Sequence, residues 1–351
     1  MMGKLKKLTG YRLFLPLSCL IIVLLINLIT TPTFFKITIN NGVLYGYIID
    51  VINRASELVV LAVGMPLVVS ASAGTDISVG AVMAVAAAVC TRVLAGGEVS
   101  VNEYANPYIL AVLAALAVAV VCGGFNGFLV AKLKIQPMVA TLILFTAGRG
   151  ISQLVTNGQI TYIRVDGYKL LGNNIPGIPI PTPIFVAVIV VALTYILLNK
   201  TAMGMYIQSV GINERASRLV GLKSVKIIWM AYAFCGLCAG IAGLVASSRI
   251  YSADANNIGL NMELDAIAAV ALGGNSLGGG RFSLLGSVIG AYTIQALTTT
   301  LYAMSVPADQ IPVYKAIVVI LIVAVQSEEL KKFRKRLASR HASGNVEGGV
   351  A

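Results

Sequence analysis

Residues 109–131 read ILAVLAALAVAVVCGGFNGFLVA, a run with no charged residue and a single amide, Asn126. A helix needs roughly 20 such residues, at about 1.5 Å rise each, to cross the hydrocarbon of a bilayer. The apolar residues are continuous and do not alternate with period two. Backbone groups in hydrocarbon must be paired within the segment or across a closed barrel, so a continuous run reads as a membrane helix. Similar runs lie near 11–30, 55–73, 77–95, 135–155, 184–199, 227–248, 264–279, 283–302 and 313–327. The expected fold class is therefore all-α, a polytopic membrane helical bundle of about ten transmembrane helices.

Composition agrees with this reading. The chain has 351 residues, 58% hydrophobic and 11% charged, with a mean hydropathy of +0.87. A soluble domain carries about 25% charged residues because its surface faces water. The net charge of +12 raises nucleic acid as a partner, but the charge sits in the wrong places for it. Lys4, Lys6, Lys7 and Arg12 precede the first run, and Lys331, Lys332, Arg334, Lys335, Arg336 and Arg340 follow the last. No folded basic face with a binding element is visible, so nucleic acid is not expected.

Basic residues flanking spans hold those flanks in the cytoplasm. With both tails cytoplasmic, the ten tail bases join Lys132, Lys134, Lys200, Arg215, Arg218, Lys223, Lys226 and Arg281 on that side, 18 of the 26 Lys and Arg residues. Only Glu214, Glu328, Glu329 and Glu347 of the 14 acids accompany them. Both termini are thus expected in the cytoplasm, which requires an even number of crossings: ten, or eight if two pairs of short helices are re-entrant. Residues 1–10 read as an N-terminal tail, 11–327 as the membrane domain and 328–351 as a basic C-terminal tail. The first run has no small-x-small cleavage site after it and reads as an uncleaved span.

The five cysteines, Cys19, Cys90, Cys122, Cys235 and Cys238, all fall in apolar runs, where cysteine packs as a small hydrophobe. Cys235 and Cys238 have redox-motif spacing without a βαβ context. The single histidine, His341, lies in the C-terminal tail, which excludes a histidine-based metal or catalytic cluster.

Two glycine-bearing stretches interrupt the apolar rhythm, Ala73-Gly74-Thr75-Asp76-Ile77-Ser78-Val79-Gly80 and Leu272-Gly273-Gly274-Asn275-Ser276-Leu277-Gly278-Gly279-Gly280-Arg281-Phe282. Each reads as a reversal between short helices. Paired interruptions in corresponding halves mark a central pathway in transporters, although two ordinary tight loops would look the same in sequence. Charge in hydrocarbon costs roughly 2.5–3.5 kcal/mol even on lenient scales, so Asp76, Arg149, Glu263, Asp265 and Lys315 stand out. They are too few and scattered for a proton relay. Neutral polar groups near the same segments, Ser78, Asn126, Gln136, Thr141, Gln153, Asn275 and Gln295, suit a hydroxyl-rich solute, while interhelical hydrogen bonding is the alternative role. The candidate pathway set is Asp76, Ser78, Asn126, Gln136, Thr141, Arg149, Glu263, Asp265, Asn275 and Gln295.

The polar stretch 200–226 contains a candidate short helix. Asn213 can cap it, Glu214 favours its first turn, Gly221 can close it, and Ala216, Leu219 and Val220 give it an apolar face. A short helix protruding from a membrane bundle is suited to dock into a groove on a partner.

The pattern Gly211-x-Asn213-x-x-Ala216-x-x-x-x-Gly221 is similar to the cytoplasmic coupling loop of ABC permeases of the ribose and related monosaccharide family. Asp76-Ile77-Ser78-Val79-Gly80 resembles that family's Asp-Leu-Ser-Val-Gly turn. Lys134-Ile135-Gln136-Pro137, Thr141 and Arg149-Gly150 resemble a second segment. Glu263-Leu264-Asp265-Ala266-Ile267-Ala268-Ala269-Val270, followed by Gly273-Gly274-x-Ser276-Leu277-x-Gly279-Gly280-Arg281, resembles the longest signature. The resemblance runs in order from about residue 50 to 327. Tyr251-Ser252-Ala253-Asp254-Ala255-Asn256-Asn257 and the Lys-Ile-Gln-Pro stretch bring it nearest the galactofuranose-type permeases. Ala73-Gly74-Thr75 departs from the family's Gly-Gly-Ile, which leaves the preferred sugar open.

The resemblance implies a permease subunit of an ATP-binding-cassette importer in the cell inner membrane. It implies a periplasmic sugar-binding protein, an ATP-binding subunit and a second permease, identical or different, as partners, with membrane lipid around the bundle. It implies that Gly211, Asn213, Glu214, Arg215, Ala216, Arg218 and Gly221 couple the chain to its ATPase. The chain has no Gly-x-x-x-x-Gly-Lys-Ser/Thr loop, so ATP is expected on the partner, with no cofactor and no catalytic or metal residues in this chain. The competing readings are an ion-coupled sugar carrier, which needs ion sites the scattered acids do not form, and a membrane-embedded enzyme, which needs a catalytic cluster that is not visible.

Overall fold

The computed structural model describes residues 13–40 and 42–326. The expected tails, 1–10 and 328–351, lie outside the described residues, as do residues 11, 12 and 327 at the ends of the expected membrane domain. Twelve helices of six residues or more carry the described chain. They are α1 (Phe14–Thr30), α2 (Tyr47–Ser72), α3 (Val79–Ala95), α4 (Tyr108–Ala131), α5 (Pro137–Val155), α6 (Thr182–Lys200), α7 (Met203–Ile212), α8 (Glu214–Leu219), α9 (Ser224–Ile250), α10 (Met262–Leu272), α11 (Leu284–Ala303) and α12 (Ile311–Gln326). Six of these, α2, α4, α5, α6, α9 and α11, are long and apolar enough to cross a membrane; α1, α3 and α12 contain shorter apolar segments.

Eight of the ten apolar runs form helices close to the expected bounds. The second, expected over 55–73, begins eight residues earlier, at Tyr47, because Asp50, Asn53, Arg54 and Glu57 lower its hydropathy without breaking the helix. The eighth also differs. Expected over 264–279, its helix α10 ends at Leu272, because Gly274, Gly279 and Gly280 take positive φ and turn the chain back toward α11. Eleven residues rise about 16 Å, half of a bilayer. Glycine does not interrupt hydropathy, so the run looked longer than the helix.

Helices α2 and α9 form the centre, buried along most of their length, with α3 and α4 against them. Gly123 of α4 faces Gly236 of α9, and a Cβ on Gly123 would sit 2.4 Å from the Tyr232 carbonyl oxygen and 2.9 Å from the Gly236 Cα. The two backbones therefore touch, as small residues permit between membrane helices. Cys235 and Cys238 pack against Gly64 of α2 as free, buried thiols, in line with the packing role read from sequence. The outer faces of α4, α5 and α6 display Leu, Ile, Val and Phe, side chains suited to contact with lipid.

Short strands bind the loops at one end. Strands β1 (Thr38–Asn40) and β2 (Val43–Tyr45) form an antiparallel hairpin. Strand β4 (Thr161–Ile163) pairs in parallel with β3 (Ser100–Val101) and antiparallel with β5 (Ser252–Ala253). The three loops after α3, α5 and α9, assigned to one side by alternating spans, are thus physically joined. At the opposite end the Lys134 ammonium meets Glu214, and Gly280 N–H donates to the Ser70 carbonyl at 3.0 Å. The loops assigned to the basic side are joined there in the same way.

Candidate functional site

Helix α8 is built as its sequence dictates. The Asn213 side-chain oxygen accepts from the Ala216 N–H at 2.9 Å, which satisfies one of the donors a helix start leaves unpaired. Gly221 closes the segment at φ +88° with open space around it. Glu214 is the tether: its carboxylate accepts from Lys134 of the α4–α5 loop, from Arg218 one turn on and, at 3.1 Å, from Ser224 at the start of α9. Partial burial raises the Glu214 pKa, and the hydrogen bonds from Lys134 and Arg218 outweigh it, holding the carboxyl below the ordinary glutamate range. Arg218 also donates to the Ser224 hydroxyl at 2.7 Å.

Glu214 and Arg218 therefore face the bundle, while Arg215, Ala216, Leu219 and Val220 face away from it. Leu219 and Val220, at the end of α8 and just beyond it, are 89% and 78% exposed, an unusual display for two adjacent apolar residues. Replacing Asn213 with alanine should cost about 1 kcal/mol of helix stability. In detergent, tryptic cleavage at Arg215 and Arg218 should then accelerate by about five-fold; an unchanged rate would show that the cap does not hold this helix.

Directly above α8, Gly211 touches the end of α2, just before the first reversal, and the second reversal itself. A Cβ there would lie 1.6 Å from the Ser70 carbonyl oxygen at the end of α2 and 2.8 Å from the Gly280 nitrogen. Ser70 in turn donates its hydroxyl to the Gly280 carbonyl. A groove of about 290 Å³ opens beside this junction, lined in part by Ser72, Gln136, Pro137, Gly211 and Glu214.

The first reversal holds a buried polar knot. The Asp76 carboxylate accepts from the Ser78 N–H at 2.9 Å, the Ser78 hydroxyl at 2.7 Å and Asn126 Nδ2 at 3.4 Å. Asn126 also donates to Ser78 Oγ at 2.8 Å, and the Ile77 N–H reaches the Thr141 hydroxyl at 3.3 Å. Four of the ten candidate pathway residues thus converge, although all four are buried. The other six separate. Asn275 stitches the second reversal, donating to Ser287 at 2.8 Å and accepting from the Ser283 N–H. Asp265 pairs with Lys315 of α12 at 2.6 Å, and Gln295 meets Thr299 at 3.3 Å on its own helix. Gln136 is exposed at the start of α5. Arg149 donates from Nη1 to the carbonyls of Ala255, Asn256 and Ile258, holding the loop before α10. Glu263 is buried beneath Gly80, with its Oε2 lacking a hydrogen-bond partner among the described residues.

The family model described as branched-chain amino acid transport system / permease component matches residues 47–326. The chain belongs to this permease family. It is 43% identical to the galactofuranose transporter permease protein YtfT of Escherichia coli K12, over 92% of each chain. It is 37% identical to the fructose import permease protein FruF of Bifidobacterium longum, over 96% of this chain and 94% of that one. Against the ribose import permease protein RbsC of Escherichia coli K12 it is 35% identical, over 89% and 93%. No solved structure matches. The resemblance to the monosaccharide ABC permeases therefore holds, and the ion-coupled carrier yields to it.

Sequence reasoning missed two parts of the tether that holds α8, Lys134 and Ser224. Lys134 stood inside the Lys-Ile-Gln-Pro stretch, but its partner Glu214 is 80 positions away, a separation no local pattern bridges.

Proposed function

We propose that the chain is the transmembrane permease subunit of an ATP-driven importer of the inner membrane, passing a monosaccharide delivered by a periplasmic binding protein. Galactofuranose or a related galactose-like sugar is the leading substrate, on the identity to the galactofuranose permease. The ten helical segments alternate with both termini in the cytoplasm, α10 serving as a half-length segment. A second permease, identical or different, completes the pore. The ATP-binding subunit docks on α8, and its closure on ATP moves α8 and the junction at Gly211.

The exposed Leu219–Val220 pair supports this reading most directly, since a free apolar patch of this kind needs a partner groove. The double variant Leu219→Asp and Val220→Asp leaves the Glu214 tether intact and tests it. A tagged native chain in mild detergent should retain an ATPase subunit, and the variant should lose it by at least about ten-fold, as expected for buried interface anchors. Equal recovery with both chains would refute docking through α8. A native chain that retains no ATPase would refute the importer.

A further inference from the structure

The segment between β5 and α10 is irregular backbone that descends into the bundle. Its carbonyl at Gly259 lies against Gly80, at the opposite end of α3 from the surface loop that follows Ala95; a Cβ on Gly80 would be only 2.2 Å from that oxygen. Non-helical backbone at membrane depth persists only where it is buried in protein or lines water. Residues 255, 258 and 259 are buried, but Asn256, Asn257, Leu260 and Asn261 are exposed on the outer side of the descending chain. Asn261, two residues beyond Gly259, cannot face hydrocarbon at this depth, whereas Asn256 lies nearer the loop end, beside Gln153 in the last turn of α5.

Helix α5 continues the row. Thr146, Gly150 and Gln153 recur at helical spacing on one exposed face, and space around Gly150 is open. Gln153 Nε2 donates to Asn256 Oδ1 at 2.7 Å, joining helix and loop into one surface.

The charged groups nearby are spent on building this loop. Asp254 accepts from the N–H groups of Asn256 and Asn257 at 2.9 and 3.3 Å and from the Asn257 amide at 2.6 Å. Arg149 is committed to three loop carbonyls. What remains displayed is neutral: the Gln153 carbonyl oxygen, the Asn256 amide nitrogen and the whole Asn261 amide, for which no hydrogen bond exists among the described residues. Donors and acceptors without fixed charge match the hydroxyls of a polyol and hold it without the penalty of stripping a buried ion.

We infer that Gln153, Asn256 and Asn261 form the water-exposed wall of the translocation pathway and hydrogen-bond the hydroxyls of the passing sugar. The buried knot at Asp76, Ser78, Asn126 and Thr141 is then a structural support and not a contact. This deepens the import reading and rests on it, so the test has one arm that does not depend on import.

In that arm, Asn256→Cys and Asn261→Cys are treated in intact cells with a membrane-impermeant, hydrophilic maleimide. Both should label well above the native chain, whose described cysteines are buried or half-buried, and Ile151→Cys, exposed about 100° or more around α5 from Thr146, Gly150 and Gln153, should not. Failure of both asparagine positions to label overturns the wall, whether lipid or a second permease covers it. The second arm measures uptake of labelled D-galactose, D-fructose and D-ribose by the assembled transporter. Gln153→Met removes the amide at similar size, and Asn261→Gly removes it while keeping the left-handed backbone at φ +62°. Each should lower uptake by about ten-fold with the ATPase subunit still bound, the scale of losing one or two hydrogen bonds between neutral groups. Uptake within about two-fold of native for both variants overturns the sugar contact. If the native complex imports none of the three sugars, the import reading fails, and the labelling arm still decides the wall.

Discussion

Replacing Gly211 with alanine should abolish transport while leaving α8 itself intact. The added methyl would lie 1.6 Å from the Ser70 carbonyl oxygen, which is backbone and cannot rotate away, and 2.8 Å from the Gly280 nitrogen. Either α7 lifts off α2, or the second reversal parts from the end of α2 and breaks the Gly280 N–H to Ser70 bond. Overpacking of this kind costs about 3 kcal/mol, a factor of roughly a hundred. The expected readout is sugar uptake reduced to about 1% of native, with a lowered thermal midpoint of the detergent-solubilised chain. Gly221→Ala is the matched control. It also sits next to α8, but at φ +88° in open space, and should cost only about 1 kcal/mol of local strain. Equal uptake by the two variants would mean that the Gly211 junction transmits nothing.

The difference between these two glycines was invisible in the sequence, where both were simply ends of one motif. Local features read well from residues alone. The helices followed from continuous apolar runs, and the Asn213 cap from an amide placed before Glu214, because helix formation and capping are settled within a few positions. That the loops after α3, α5 and α9 share one end followed from alternating spans, and the pairing of Ser100–Val101, Thr161–Ile163 and Ser252–Ala253 joins them. The site did not read as well. Six of the ten candidate pathway residues lie apart from one another, because polar residues in spans serve helix contacts, turns and pathways alike. Gln153 and Asn256 were seen as an isolated amide and as part of a family stretch. Their partnership spans 103 positions and depends on a loop that folds inward.

That loop depends in turn on Arg149, and its loss gives the second large effect. Arg149 reaches Ala255 at 3.0 Å and Asn256 at 3.4 Å, and approaches Ile258 at 2.5 Å, all through one nitrogen. Arg149→Met keeps the apolar stem and removes the donors, which leaves three carbonyls unpaired in a segment water reaches from one side only. Hydrogen bonds from a charged donor contribute about 1.5–3 kcal/mol, and an unsatisfied buried group adds its own penalty, so destabilisation of about 3–5 kcal/mol is expected. Arg149→Lys should rescue little of it, because the lysine nitrogen sits one bond nearer the backbone than the Nη1 that makes all three contacts and falls short of the carbonyls. The loop carries Asn256 and Asn261, so both variants should abolish uptake yet keep the ATPase bound, since α8 lies at the other end of the bundle. Measuring uptake and ATPase recovery on the same preparations separates the outcomes. Loss of both activities would place Arg149 in the general stability of the bundle, whereas retention of uptake by the methionine variant would show that the inward loop stands without its clamp.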